Sequence, residues 1–316
     1  MGMNILFLSG QDIGGWGWRV SKAINKYTKW KAKNAVYHQT YLGYPIDAWI
    51  YGMSGEAVKN LLEWADFYVL RWMDQDLMFG KLKLQKYLKP NNFLIKLHGS
   101  EARTGLWLYW FHPILRAFPN TMIVTSFDYT IASLAGFNCY HIPHMIHLDE
   151  LPDVKRQVSE PIKIAHAPTD RSKKNTELFL KTVAKLKEMG YRVEAEVIEH
   201  VKWDKCIQLK AQCHITYDQV GYVSTFGMNA IEGWALRQPV IAEVDHWTLS
   251  IYPELEEFLV QANERTLLTQ IKNLLDNPDL IQGLGEKGRR FVEQYFDARK
   301  VVKRWVNLIE FVHERG

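Results

Sequence analysis

The chain has 316 residues, 47% hydrophobic and 23% charged, with 39 Lys and Arg against 35 Asp and Glu. That length exceeds what one hydrophobic core usually supports, so two domains are expected. A net charge of +4 makes duplex DNA no default partner, three cysteines without metal or redox spacing argue against disulfides and zinc, and no run of eighteen apolar residues marks a membrane span.

From the first residue, short apolar runs alternate with amphipathic stretches, the pattern of a parallel sheet covered by helices, so the fold class is α/β. Strands are expected at Asn4 to Leu8, Phe67 to Arg71, Phe93 to Leu97, Met122 to Thr125 and Tyr140 to Ile142, and helices at Trp18 to Tyr27, Glu56 to Ala65 and Gly80 to Leu88. The start, Met1 to Ser9, is strand-like with no basic leader, so a cytoplasmic protein is expected. Gly10-Gln-Asp-Ile-Gly14-Gly15-Trp-Gly17 follows the first strand and opens a helix, where an α/β domain places either a phosphate loop or a structural turn. His98 stands just past the strand run Phe93 to Leu97, at the edge where open sheets bind ligands; a hydrogen-bonded structural histidine is the plain alternative. Asp74-Gln-Asp76 formally matches a metal-holding carboxylate pair, although two such carboxylates are common in loops, and Asp12, Glu101 and Asp128 are further loop carboxylates.

Thr104 to Arg116 is rich in aromatic residues, with Leu106, Trp110 and Ile114 at helical spacing, which suits either a packed helix or a surface that grips sugar rings or a membrane interface. Lys29-Trp-Lys-Ala-Lys33 and Lys81-Leu-Lys-Leu-Gln-Lys86 would add attraction to anionic lipid. The polar stretch Leu148 to Glu160 reads as a linker. Beyond it a second series follows: strand Ile162 to Ala165, helix Thr176 to Met189, and strands Val193 to Ile198, His214 to Tyr217 and Val240 to Glu243. Arg171, Lys173 and Lys174 make a cationic loop, which in isolation is a solvated surface. In Ser224-Thr-Phe226-Gly227-Met228-Asn229-Ala-Ile-Glu232, a glycine turn leads into a short helix whose first N–H groups could meet a diphosphate, with Glu232 placed to accept the hydroxyls of a ribose. Pro239 ends that helix. From Glu264 to Arg315 the pattern is helical, and the stripe Val301, Trp305, Leu308, Ile309 and Val312 fits packing on either domain.

The Phe-Gly turn with Glu232 and Pro239-Val-Ile resembles the signature of the retaining GT-B glycosyltransferases of family 4, and Ile164-Ala-His166-Ala-Pro168 with Tyr217-Asp218-Gln219 is similar to one of its branches. The family's first glutamate is Ser224 here, its Lys-Gly is Lys174-Asn175, its Ala and Gly are Gly233 and Arg237, and its arginine five positions before the lysine is Thr169. The resemblance implies two Rossmann-like domains: residues 1–147 on the acceptor side, a linker over 148–160, a donor-binding domain over 161–296, and a final helix over 297–316 that packs back on the first domain. It implies transfer of a sugar from a UDP- or GDP-linked donor to a glycan, lipid-linked or small-molecule hydroxyl, with retention and without metal or other cofactor. Gly14, Gly15, Arg19, Ser224, Phe226, Gly227, Met228, Asn229 and Glu232 would surround the nucleotide sugar, and His98, Arg171 and Lys174 the reacting centre. Nucleotide-sugar epimerisation, noncatalytic sugar-nucleotide or glycan binding, and glycosylation of nucleic acid are the alternatives, and peripheral membrane contact is an extension.

Overall fold

The computed structural model describes residues 2–73, 82–98, 105–126, 136–154, 158–221 and 225–315. The chain divides into two compact units: Met1–His147 with Ala298–Gly316, and Leu148–Asp297.

Unit 1 carries a seven-stranded, all-parallel sheet in the order β3-β2-β1-β4-β5-β6-β7. Its strands are β1 (Asn4–Gln11), β2 (Lys31–His38), β3 (Ala48–Trp49), β4 (Phe67–Arg71), β5 (Phe93–Leu97), β6 (Ile123–Thr125) and β7 (Cys139–His141). Period-two alternation in β1 feeds two cores. Ile5 and Phe7 enter one with α1 (Trp16–Tyr27) and the last helix, α10 (Ala298–Glu314), while Leu6 and Leu8 enter the other with α2 (Gly55–Trp64) and α3 (Leu106–Ala117). The stripe Val301, Trp305, Leu308, Ile309 and Val312 is buried in the first core, so α10 completes unit 1. Burial of an indole such as Trp305 withdraws roughly 150 to 250 Å² from water, about 4 to 6 kcal/mol of driving force.

Unit 2 carries a five-stranded parallel sheet, β12-β11-β10-β8-β9. Its elements are β8 (Ile162–His166), α4 (Thr176–Glu188), β9 (Val193–Val197), α5 (Trp203–Ala211), β10 (Ile215–Tyr217), α6 (Met228–Ala235), β11 (Val240–Ala242), α7 (His246–Ile251), β12 (Val260–Gln261), α8 (Leu267–Asp276) and α9 (Pro278–Tyr295). From β8 the chain moves outward to β9, then crosses to the other side of β8 for β10. Strand order therefore reverses between β8 and β10, and in open α/β sheets the crevice beyond the carboxyl ends of such a pair is where ligands bind. The same reversal occurs in unit 1 between β1 and β4.

Several elements depart from expectation. β2 is absent from the sequence reading because Lys31, Lys33 and Asn34 interrupt its apolar run, yet its central residues are buried between two neighbours. In the described part of the helix expected over Gly80 to Leu88 there is a single 3₁₀ turn, Leu84–Lys86. The helix α5 was not expected at all, its fully buried residues being only Ile207 and Lys210.

Candidate functional site

The loops after β8 and β10 bring together the residues best suited to hold an anion. Asp218, wholly buried, organises them: one carboxylate oxygen accepts from the Gly227 N–H at 3.0 Å, and the other lies 3.3 Å from the Lys174 ammonium and from the Asn229 amide. Asn229 also donates to the Tyr217 carbonyl at 3.0 Å, and Lys174 to the Gln219 side chain. The Lys174 side chain remains one-fifth exposed. Gly227 caps α6 without a side-chain cap, so the helix start presents N–H groups that helical geometry leaves without intrahelical partners. Its backbone is extended, φ −111°, and a Cβ there would meet nothing closer than Lys174 Nζ at 3.8 Å and Asp218 Oδ2 at 3.9 Å. Neither backbone conformation nor packing thus demands glycine at 227. Below this turn His166, buried, contacts Thr176 Oγ1 at 2.8 Å and the Tyr217 carbonyl at 3.3 Å. Burial pulls its pKa down to about 4, so the ring is neutral at pH 7.

Several residues expected at the ligand have partners within the protein. Glu232, expected to accept the hydroxyls of a ribose, closes a buried ion pair, accepting from Lys210 at 3.1 Å and from the Trp203 indole at 2.8 Å. Lys210 is fully buried and also donates to Asn229, so Glu232 neutralises an interior ammonium. Phe226, expected beside the nucleotide sugar, has its ring packed among Trp234, Tyr252, Phe291 and Phe296, anchoring the glycine turn from within the core. Arg171 was expected to clamp a diphosphate beside Lys174. Its guanidinium is instead paired on an exposed surface with Glu199 at 2.8 Å and Glu177 at 3.1 Å, and two carboxylates cancel the charge a phosphate would need. Met228 is half-buried in the first turn of α6.

The departures from the family pattern have local causes. Asn175 and Arg237 both adopt left-handed backbone, φ 49° and 58°, the conformation for which glycine is the usual choice. Asn tolerates it, and Arg237 is held there by ion pairs to Glu286 at 2.5 Å and Asp153 at 3.6 Å. At Gly233 a Cβ would stand 2.6 Å from Thr216 Oγ1, so this helix sits on β10 too closely for alanine.

The glycine loop of unit 1 is built differently. Gly14 and Gly15 are both left-handed, φ 82° and 63°, and a Cβ on Gly15 would overlap the Tyr44 ring. Asp12 accepts from the Gly17 and Trp18 N–H groups, from Asn34 and, at 2.8 Å, from Arg71; all four bonds are buried. Arg19 bonds the Gly14 carbonyl and lies over Trp18 and Tyr44, so its guanidinium stabilises the loop where a ligand contact was expected. His98 stands at the end of β5, edge-on to Trp16 and 5.9 Å from the ring of His144. Burial, reinforced by Arg71 and Lys96, holds the pKa of both histidines well below the ordinary value, so His98 is an uncharged imidazole at neutral pH. Ser224, Asp74, Asp76, Glu101 and Asp128 lie outside the described residues. No helix among the described residues is long and apolar enough to cross a membrane. Cys139 and Cys206 are pushed up to about 11 by burial, which keeps both thiols protonated.

Sequence comparison finds no matching family model and no matching curated protein. Solved structures do match. A sucrose-phosphate synthase from Thermosynechococcus elongatus superposes with TM-score 0.69 at 15% identity, over 99% of this chain and 100% of that one. HepE of Anabaena, solved with UDP and glucose, gives 0.69 at 13% identity over 98% and 99%. An α-glucosyltransferase solved with UDP and a mismatched DNA 13-mer gives 0.68 at 12% identity over 98% and 99%. The likeness extends over essentially the whole of each chain, and the fold is GT-B.

Proposed function

We propose that the protein is a glycosyltransferase that takes a sugar from a nucleoside diphosphate sugar, UDP-linked by preference over GDP-linked, and passes it to a hydroxyl acceptor. The observation that carries this reading is the turn at Gly227: an ammonium, Lys174, and the opening N–H groups of α6 are fixed together by one buried carboxylate, Asp218, around a glycine whose missing side chain the protein itself does not need. Such an arrangement suits an anion that approaches the backbone closely. Neighbours of the same fold hold UDP, or UDP with glucose, which supports a uridine diphosphate there.

In this reading Lys174 and the helix start stabilise charge that accumulates on the leaving diphosphate as the glycosidic bond breaks. A preorganised cation and N–H groups do this without a metal ion. Glu232, oriented by Lys210 and Trp203, lies beside the turn to accept from a ribose hydroxyl, and the uncharged His98 accepts or donates a hydrogen bond to a sugar hydroxyl. Retention follows from the family resemblance, in which the departing diphosphate itself helps deprotonate the acceptor on the same face. Unit 1 would receive the acceptor and unit 2 the donor.

Thermal unfolding with UDP, GDP and their glucose conjugates tests the donor assignment. A ligand at about a hundred times its dissociation constant adds roughly 2.7 kcal/mol, which for a protein of this size raises Tm by roughly 5 to 10 °C. UDP should produce that shift in the wild type and lose most of it in Lys174→Ala. Turnover of UDP-glucose should persist in EDTA, and NMR of the product should show an α linkage. No shift with any nucleotide would remove the reading.

A further inference from the structure

Unit 1 contains a cavity of about 660 Å³ that the donor site does not use. It lies beyond the carboxyl ends of β2 and β3, with walls from Tyr37, Tyr51, Leu62 and Tyr87. Its aromatic wall is braced by contacts among its own rings. Tyr51 is 63% exposed, yet its ring meets Tyr37 edge-on at 5.8 Å and Trp49 at 5.9 Å, and stacks on His38 at 6.4 Å; Trp49 is itself tied by its indole N–H to the Tyr37 carbonyl at 3.1 Å. Exposed aromatic rings held in place offer flat apolar faces at little entropic cost.

The rim is cationic. Lys59, Lys83 and Lys86 face one carboxylate, Glu63, and Lys59 is already shared between Glu56 and Glu63 at 4.0 and 3.9 Å. No ion pair engages Lys83 or Lys86 among the described residues. Lys83 also adopts left-handed backbone, φ 52°, an unfavourable conformation for a residue with a Cβ, and residues so held cluster at ligand sites. A flat ring face beside fixed cations matches a pyranose that bears a negative charge. The cavity is a half-open cleft, which suits a single ring better than the flat surface of a membrane.

We propose that this cavity binds an anionic saccharide, a hexose carrying a carboxylate or a phosphate, as the acceptor. The assignment of acceptor rests on the glycosyltransferase reading; the binding itself does not. Calorimetric titration with methyl glucoside, its 6-phosphate and methyl glucuronide, at low and at high salt, tests it. One of the two anionic sugars should bind at least ten-fold more tightly than the neutral one at low salt, and salt should erode that preference. Lys83→Ala with Lys86→Ala should reduce the preference below about three-fold, and Tyr51→Ala should weaken all three ligands, while the thermal shift with UDP stays as in the wild type and shows that each variant is folded. Lys86→Glu, a single exposed substitution, should reverse the preference. Equal binding of the three sugars, binding of none, or a preference indifferent to the lysines would overturn the proposal; so would retention on anionic phospholipid vesicles that depends on the same lysines without any sugar binding, which would assign the rim to a lipid surface. Loss of the UDP shift alone would strike the donor reading and leave this one standing.

Discussion

A glycine turn follows β1 in unit 1 and another follows β10 in unit 2, each leading from a strand that flanks the point where strand order reverses into the start of a helix, and they differ in what they need glycine for. At Gly14-Gly15 the protein needs it: the backbone is left-handed, Tyr44 fills the space, and Asp12 and Arg19 pin the loop from both sides. At Gly227 the backbone is extended and a methyl group would make ordinary contacts with Lys174 and Asp218. A glycine that its own protein does not require points to a guest that does. The same contrast holds for the carboxylates, since Asp12 makes four bonds within its unit, whereas Asp218 fixes a partly exposed ammonium and a helix start.

The largest effects should come from the buried carboxylates whose work is structural. Asp12→Ala leaves Arg71 without its buried partner, and Glu232→Ala does the same to Lys210; either should cost about 3 to 5 kcal/mol in denaturant unfolding. A loss below about 1 kcal/mol at Glu232 would leave the ribose as its main work and break the parallel.

The glycine pair itself comes next. Gly15→Ala combines a left-handed alanine with overlap on Tyr44, so a loss of about 2 to 4 kcal/mol is expected. Gly227→Ala should leave stability within about 0.5 kcal/mol of wild type yet weaken UDP ten-fold or more, because the methyl group occupies the approach to Lys174. Equal UDP affinity for wild type and Gly227→Ala, measured by calorimetry, would end the distinction between the two turns.

Acid should erase some of the difference, because both units bury neutral histidines. His166 titrates near 6.5 when unfolded and near 4 when folded, so the unfolded chain takes up its proton first as pH falls. Its contribution is complete above pH 6.5, is lost progressively between 6.5 and 4, and does not change further below that. Between pH 7 and pH 5 the loss is about 2 kcal/mol, and His98 and His144 act in the same direction. Urea unfolding at pH 7, 6 and 5 reads the slope, and His166→Gln should flatten it. The smallest effect belongs to Arg171: being exposed and paired, its replacement by Ala should change stability by less than about 1 kcal/mol and UDP affinity by less than about three-fold.

These contrasts show where sequence reading reaches its limit. Strands β4 and β5 were legible with correct ends because each is an apolar run buried on both faces. β2 was hidden because a lysine stem and an asparagine can be buried when neighbours complete their hydrogen bonds, as Asp12 and Asp47 do for Asn34. The turn at Gly227 was legible as a motif, and Asp218 stood in a recognised Asp-Gln pair, but its control of Lys174, Gly227 and Asn229 depends on β8 and β10 lying side by side. Glu232 and Arg171 were assigned to a ligand because their protein partners are remote in the chain: Lys210 and Trp203 arrive on a helix that the hydrophobic pattern did not reveal, and Glu199 follows the next strand.

The return of α10 to unit 1 has a consequence for biosynthesis. Unit 2 is one continuous stretch, Leu148–Asp297, and has all its strands once that stretch leaves the ribosome. Unit 1 begins first and finishes last: Val20 and Ile24 of α1 face a core that Val301, Trp305 and Ile309 complete only when the final helix has been translated. At roughly 5 to 20 residues per second, the interval between His147 and Trp305 leaves that apolar face uncovered for on the order of ten seconds or more. The nascent N-terminal half is thus the segment a chaperone has most reason to hold, and a nonsense codon just before Ala298 would strip the cover from unit 1 while sparing every residue of unit 2.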